Sequence, residues 1–180
     1  YFKRDLDTYT KERNVPKGKM KKVHYYSKVI GEKREVYVYT PPQYSKDKKY
    51  PVLYLLHGIG CDGSQWISMK ADIVLDNMIA DGESVPCVVV CPSITPKKNK
   101  RTTQAISPEN VEAYEKFDQE LIGDLMPFIN SNYSVSDKRK DTAVAGLSMG
   151  GMESLLVGFS HLNRFNHIGS FSAAPSLDTS

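Results

Sequence analysis

The feature that most constrains this chain is the continuous apolarity of two short runs, Tyr50–Gly58 (YPVLYLLHG) and Val85–Pro92 (VPCVVVCP). A strand with one wet face alternates apolar and polar side chains, and a strand buried on both faces does not. These runs therefore predict central strands of a mostly parallel sheet with helices on both faces. Asp141–Gly146 (DTAVAG) and Phe165–Pro175 (FNHIGSFSAAP) are shorter candidates of the same kind. The segments between them read as helices. Ala71–Ala80 places Ile73, Val74, Asn77 and Met78 on a repeating face, with Gly82 at a C-cap position. Ser107-Pro108-Glu109 combines an N-cap, a proline at the first helical position and an acid in the first turn. It opens a helix that runs to about Asn130, with a break near Pro127. Ser148–Phe159 is a third helix. Strand and helix alternating in this way give an α/β fold.

Upstream the texture differs. Val23–Ile30 and Glu35–Thr40 are β-rich, the second alternates, and Gly31 lies in the link, which predicts an antiparallel hairpin. Pro41-Pro42 ends it, because proline cannot donate to a sheet ladder. Residues 1–22 are polar and basic without periodicity and read as a solvated leading segment, leaving 23–180 as the domain. The long loop Ser93–Ser107 carries a basic cluster, Lys97–Arg101, whose plainest reading is solvation and whose second reading is an anionic substrate.

Composition narrows the class. The 180 residues suit one domain, and 40% hydrophobic with 25% charged residues is ordinary globular content. A net charge of +3 is too balanced to imply a nucleic-acid partner, and no apolar run reaches the roughly 18 residues of a membrane span. The chain opens on Tyr1 rather than Met, so the expectation is a removed signal or a longer parent chain. Cys87 and Cys91 lie four apart in a strand, about 13 Å between Cα atoms. Their pairing is excluded at that distance, and the three cysteines read as unpaired thiols.

Chemistry concentrates at Gly146-Leu147-Ser148-Met149-Gly150, a G-x-S-x-G motif extended by Gly151. An apolar strand precedes it and an apolar helical segment follows, which is the context of the nucleophile elbow in the α/β-hydrolase fold. The serine sits on a sharp, strained strand-to-helix turn, and glycines two before and two after leave room for neighbouring chain. The turn lifts Oγ towards a helix N-terminus, where amides stabilise negative charge. His57-Gly58-Ile59-Gly60 closes the earlier buried strand. The loop at this place supplies one oxyanion-hole amide and the residue after the nucleophile supplies the other. Met149 is thus one donor, and Ile59 or Gly60 is its partner. His57, at a strand end, reads as a structural histidine that supports the loop.

A hydroxyl nucleophile needs a base and an orienting carboxylate, in the chain order Ser, acid, His. His161 and Glu153 lie in or just past the helix after the elbow, and His167 falls at the far end of the next strand. Asp178 is geometrically possible as the acid, and no histidine follows it. The expectation is a triad completed by an Asp and a His beyond residue 180, in a domain whose last strands and helices also lie there.

The order of YPVLYLLHGIG, Trp66, NMIADG, VVVCP, LIGDLMPFINSNYSV, AVAGLSMGG and FSAAP resembles the esterase D-like group. Within it the chain is most similar to the feruloyl esterase modules of carbohydrate esterase family 1, over about Lys21 to Pro175. The resemblance implies hydrolysis of hydroxycinnamoyl esters on plant xylan with no metal or organic cofactor. It also implies secretion and attachment to glycoside hydrolase or carbohydrate-binding modules. By position it makes Ser148 the nucleophile, puts Met149 and the Ile59-Gly60 loop at the oxyanion hole, and places Trp66 close to the substrate cleft. Trp66 by itself reads equally well as a core aromatic. Rival activities are an acetyl-xylan esterase, an S-formylglutathione hydrolase, a siderophore esterase or an acyltransferase. A rival of another class is a catalytically dead module with a binding role.

Overall fold

The computed structural model describes residues 7–95 and 116–174. They form a six-stranded mixed sheet. Strands β1 (Lys19–Ser27) and β2 (Glu32–Thr40) make the antiparallel hairpin, and Gly31 takes the positive φ (77°) that its tight link requires. β3 (Val52–Leu56), β4 (Val88–Pro92), β5 (Thr142–Leu147) and β6 (His167–Phe171) are mutually parallel, and the sheet order is β1-β2-β4-β3-β5-β6. β2 joins the parallel part by antiparallel pairing with β4. All five residues of β4 are buried, as its unbroken apolarity predicts.

Helices cover both faces. On one, residues 116–120, Leu121–Leu125, α4 (Met126–Asn132) and α5 (Met149–Ser160) pack Phe117, Leu121, Leu125, Ile129 and Val157 against Val52, Tyr54, Leu56 and Val144. On the other, α2 (Gln65–Ser68) and α3 (Ala71–Ala80) pack Trp66, Leu75 and Ile79 against Leu53, Leu55 and Val89. The two sets alternate along β3, as the pleat dictates.

Several boundaries differ from the sequence reading. β1 starts at Lys19 because its outer face is wet, with Lys22 and His24 pairing across to Glu35, so its apolar signal is faint. β4 starts at Val88, and Val85 before it is exposed. β6 spans only His167–Phe171, and Ser172 then turns the chain with a positive φ of 46°. The opening of the helix at Ser107-Pro108-Glu109, the Lys97–Arg101 cluster and Asp178 lie outside the described residues. The expected break near Pro127 does not occur, and the helix instead runs through a π-helical turn at Leu121–Leu125 into α4, whose first turn holds the proline.

The leading segment is tied to α3 by hydrogen bonds over its described part, although none of residues 8–22 is buried. α1 (Asp7–Thr10) and the residues after it lie on α3. Asn77 Nδ2 donates to the carbonyls of Tyr9 and Lys11, Asp76 accepts from Gly18 N–H and Tyr39 OH, and Arg13 grips Asp81 through two bonds. Buried polar side chains on α3 thus find partners in backbone that sequence periodicity does not register.

Candidate active site

The carboxyl ends of the parallel strands meet at the turn between β5 and α5. Ser148 stands there with φ 56° and ψ −115°, a conformation that a non-glycine residue adopts only when its surroundings impose it. The surroundings are backbone. Ser148 N–H donates to Phe171 C=O, and Ser148 C=O accepts from Met152 and Ala174 N–H. A Cβ on Gly146 would lie 2.1 Å from Gly150 O, and one on Gly150 would lie 2.5 Å from both Leu56 O and His57 O. The two glycines therefore let the elbow close on itself and press against the end of β3. Gly58 abuts Ser148, since a Cβ there would sit 3.7 Å from Ser148 Cβ. Met149, the first residue of α5, presents an N–H with no acceptor in its own helix.

The second wall is a reverse turn from Gly58 to Cys61. Cys61 N–H donates to Gly58 C=O at 3.3 Å, and Gly60 has the positive φ (71°) of the third residue of a type II turn. Side chains lock its first residue from both directions. Gly58 N–H donates to Gln65 Oε1 at 2.8 Å, and His57 Nδ1 lies 2.7 Å from Gly58 O. His57 Nε2 accepts the N–H of Ile94 at 3.0 Å, so the ring proton sits on Nδ1 and donates to Gly58 C=O. Burial holds the ring below the ordinary histidine range, which keeps it neutral. The peptide is trans, so the Ile59 N–H points away from the histidine. Gly58 N–H is already spent on Gln65.

The other histidines are occupied away from the elbow. His24 on β1 faces Glu35 on β2, His161 bonds Asp118 past the end of α5, and His167 lies by Lys140 O at the start of β6, the end opposite Ser148. Glu153 is buried in α5, and burial together with the neighbouring Asp118 charge pushes its carboxyl up to about 8. The shift favours its protonated form, which suits it poorly as an orienting carboxylate. Trp66 is 8% exposed and packs with Tyr39, Leu55, Val89 and Cys91, which places it in the core under the site. Among the described residues no group of His, Cys, Asp and Glu is arranged to hold a metal ion. Cys61, Cys87 and Cys91 are unpaired.

Two residues that the sequence reading missed bear on the site, Gln65 directly and Arg34 from a distance. Gln65 is a polar residue beside a tryptophan and carries no motif. Arg34 does carry a signal, because it shares the inward phase of β2 with Val36 and Val38. An arginine on an apolar phase is either misplaced or paired, and here it is paired with buried Glu120.

Comparison with known proteins agrees with this architecture. The family described as putative esterase matches residues 27–179. An endo-1,4-beta-xylanase/feruloyl esterase of Xylanibacter ruminicola is 34% identical over 173 residues, covering 92% of this chain and 23% of that protein. The structure of a CE1 ferulic acid esterase from Anaeromyces mucronatus superposes with a TM-score of 0.84 at 32% identity, covering 97% of this chain and 66% of that one. A mutant of the feruloyl esterase module from Clostridium thermocellum, complexed with sinapinate, superposes with a TM-score of 0.73 at 25% identity, over 88% of this chain and 55% of that one. This chain therefore spans less than a quarter of the xylanase/feruloyl esterase and about two thirds of the fungal esterase. With a strained serine at a glycine-lined elbow and a family match across nearly all of its length, the chain belongs to the putative esterase family.

Proposed function

We propose that the protein is a serine esterase that hydrolyses hydroxycinnamoyl esters such as feruloyl esters of xylan. The observation that carries this reading is Ser148, held in a strained backbone conformation against the Gly58 turn. Ser148 Oγ attacks the ester carbonyl and the alcohol leaves. Water then releases the acid from the acyl-serine. The tetrahedral oxyanion lies between the N–H groups of Met149 and Ile59. Ile59 is preferred to Gly60 because its amide has its direction fixed by the Gly58–His57 bond. The base is a histidine from outside residues 7–174, since all four histidines of this chain are engaged elsewhere. No metal is required by this chemistry.

The substrate class draws its support from the names of the relatives, which pair feruloyl esterase with xylanase or describe ferulic acid esterases. The same pairing supports a module working beside a glycoside hydrolase on secreted cell-wall enzymes. In the full-length protein, Ser148→Ala should abolish turnover of methyl ferulate, and unchanged turnover would sink the reading. Faster hydrolysis of an acetyl ester or a thioester than of methyl ferulate would keep the esterase and replace its substrate.

A further inference from the structure

We infer that Arg34, remote from the nucleophile, is a positioning residue for the oxyanion hole, acting through a one-way chain of hydrogen bonds that ends at the Ile59 N–H. This rests on the esterase reading above. The chain begins at a buried pair. Arg34 Nε donates to Glu120 Oε1 at 3.1 Å, and Tyr25 OH donates to the same oxygen at 2.6 Å. All three side chains are at least nine-tenths buried. Arg34 Nη2 donates to Ser93 C=O at 2.9 Å. The other end of that peptide, Ile94 N–H, donates to His57 Nε2 at 3.0 Å. His57 Nδ1–H donates to Gly58 C=O at 2.7 Å, and the other end of that peptide is the Ile59 N–H.

Every link runs in the same sense. The guanidinium only donates and so heads the chain, and after it peptide, imidazole and peptide each accept on one side and donate on the other. Bonds in such a chain polarise one another, by roughly 10–30% per link. The Arg34–Glu120 pair is neutral as a whole, so what travels is orientation and polarisation, not net charge. The sheet order explains how these residues meet. β2, β4 and β3 are adjacent, so Arg34 on β2 reaches the loop after β4, and that loop reaches His57 at the end of β3. Glu120 comes from the helix laid across them. A merely structural ion pair needs only Glu120. Arg34 Nη2, which also reaches Glu120 Oε2 at 3.5 Å, donates to the one peptide that holds His57, and that bond is what ties it to the site.

The test uses the full-length protein. Arg34→Met combined with Glu120→Leu removes the pair in favour of apolar side chains, an exchange that buried ion pairs commonly tolerate. The expected result is a loss of about three- to tenfold in kcat on methyl ferulate with KM unchanged. His57→Leu, which cuts the chain downstream, should cost more, and adding the Arg34/Glu120 pair of substitutions to it should cost nothing further in kcat. Wild-type kcat in the double variant, or losses that add in full, would overturn the inference, including the case where only thermal stability falls. Nitrogen-15 NMR of the unsubstituted protein gives a check that needs no variant to fold. His57 must be the neutral Nδ1–H tautomer, and an Nε2–H or doubly protonated ring overturns the chain. Ser148→Ala in the same assay separates the two ideas. Retained turnover there defeats the esterase reading, whereas its loss alongside an unaffected double variant defeats only the role of Arg34.

Discussion

The elbow at Ser148 and the turn at Gly58–Cys61 face each other, and different forces hold them. At the elbow, backbone presses on backbone. Gly146 meets Gly150, Gly150 meets the end of β3, and the strain at Ser148, of about 1–3 kcal/mol, is held by close packing and main-chain hydrogen bonds. The turn is open around Gly60, where an added Cβ would meet nothing within 4 Å. Its order comes from side chains, with Gln65 on the Gly58 N–H and His57 on the Gly58 carbonyl. Two walls of one site are thus preorganised, one by steric exclusion and one by directed bonds. The first tolerates almost no added atom. The second tolerates added volume and fails when a bonding partner goes.

The largest effect expected from this contrast is at the elbow. Gly146→Ala puts a methyl 2.1 Å from the Gly150 carbonyl, with backbone on both sides and nothing flexible to yield. Overpacking of that kind costs about 3 kcal/mol or more, and thermal unfolding should show a drop in Tm of roughly 10 °C or failure to fold. A near-normal Tm would mean that the elbow is looser than described. Next comes the turn. Gln65→Leu keeps much of the volume but orphans the Gly58 N–H, at about 1–3 kcal/mol. Gln65→Glu retains an acceptor and should recover most of that loss in the same denaturant titration. If both variants behave alike, the bond is not what orders the turn.

Gly60→Ala should be milder, at about 1–2 kcal/mol, because only the positive φ opposes it and no neighbour does. A loss as large as that of Gly146→Ala would erase the distinction between the walls. The smallest effect has the opposite sign. Ser148→Gly relieves the positive φ and should raise Tm by about 2–4 °C while abolishing turnover. A lowered Tm would show that the hydroxyl, not the backbone, is what this position contributes to stability.

Legibility in the sequence follows the same division. The elbow was readable because steric exclusion demands glycine at fixed spacing, and Gly146 and Gly150 write that demand into the chain. The bounds of α3 were readable too, since Ala71–Ala80 carries both its period and its Gly82 stop. The docked segment before β1 was not. Its anchors, Asp76 and Asn77, look like ordinary polar residues of a helix until Gly18, Tyr9 and Lys11 are seen to bond them. Trp66 was readable only as one of two alternatives, because a tryptophan near a site is compatible with either cleft or core.

The sequence by itself determined the class of sheet, the elbow that carries Ser148 and the loop that faces it, because burial on both faces and a close backbone approach each restrict which residues a position accepts. The tertiary structure alone decided how the Gly58–Ile59 peptide is held, which histidines are spent elsewhere and that Arg34 reaches His57 through the Ser93–Ile94 peptide. Those are contacts between strands distant in the chain. A hydrogen bond to a peptide group leaves no mark on the sequence of the peptide that receives it, because every residue offers the same carbonyl.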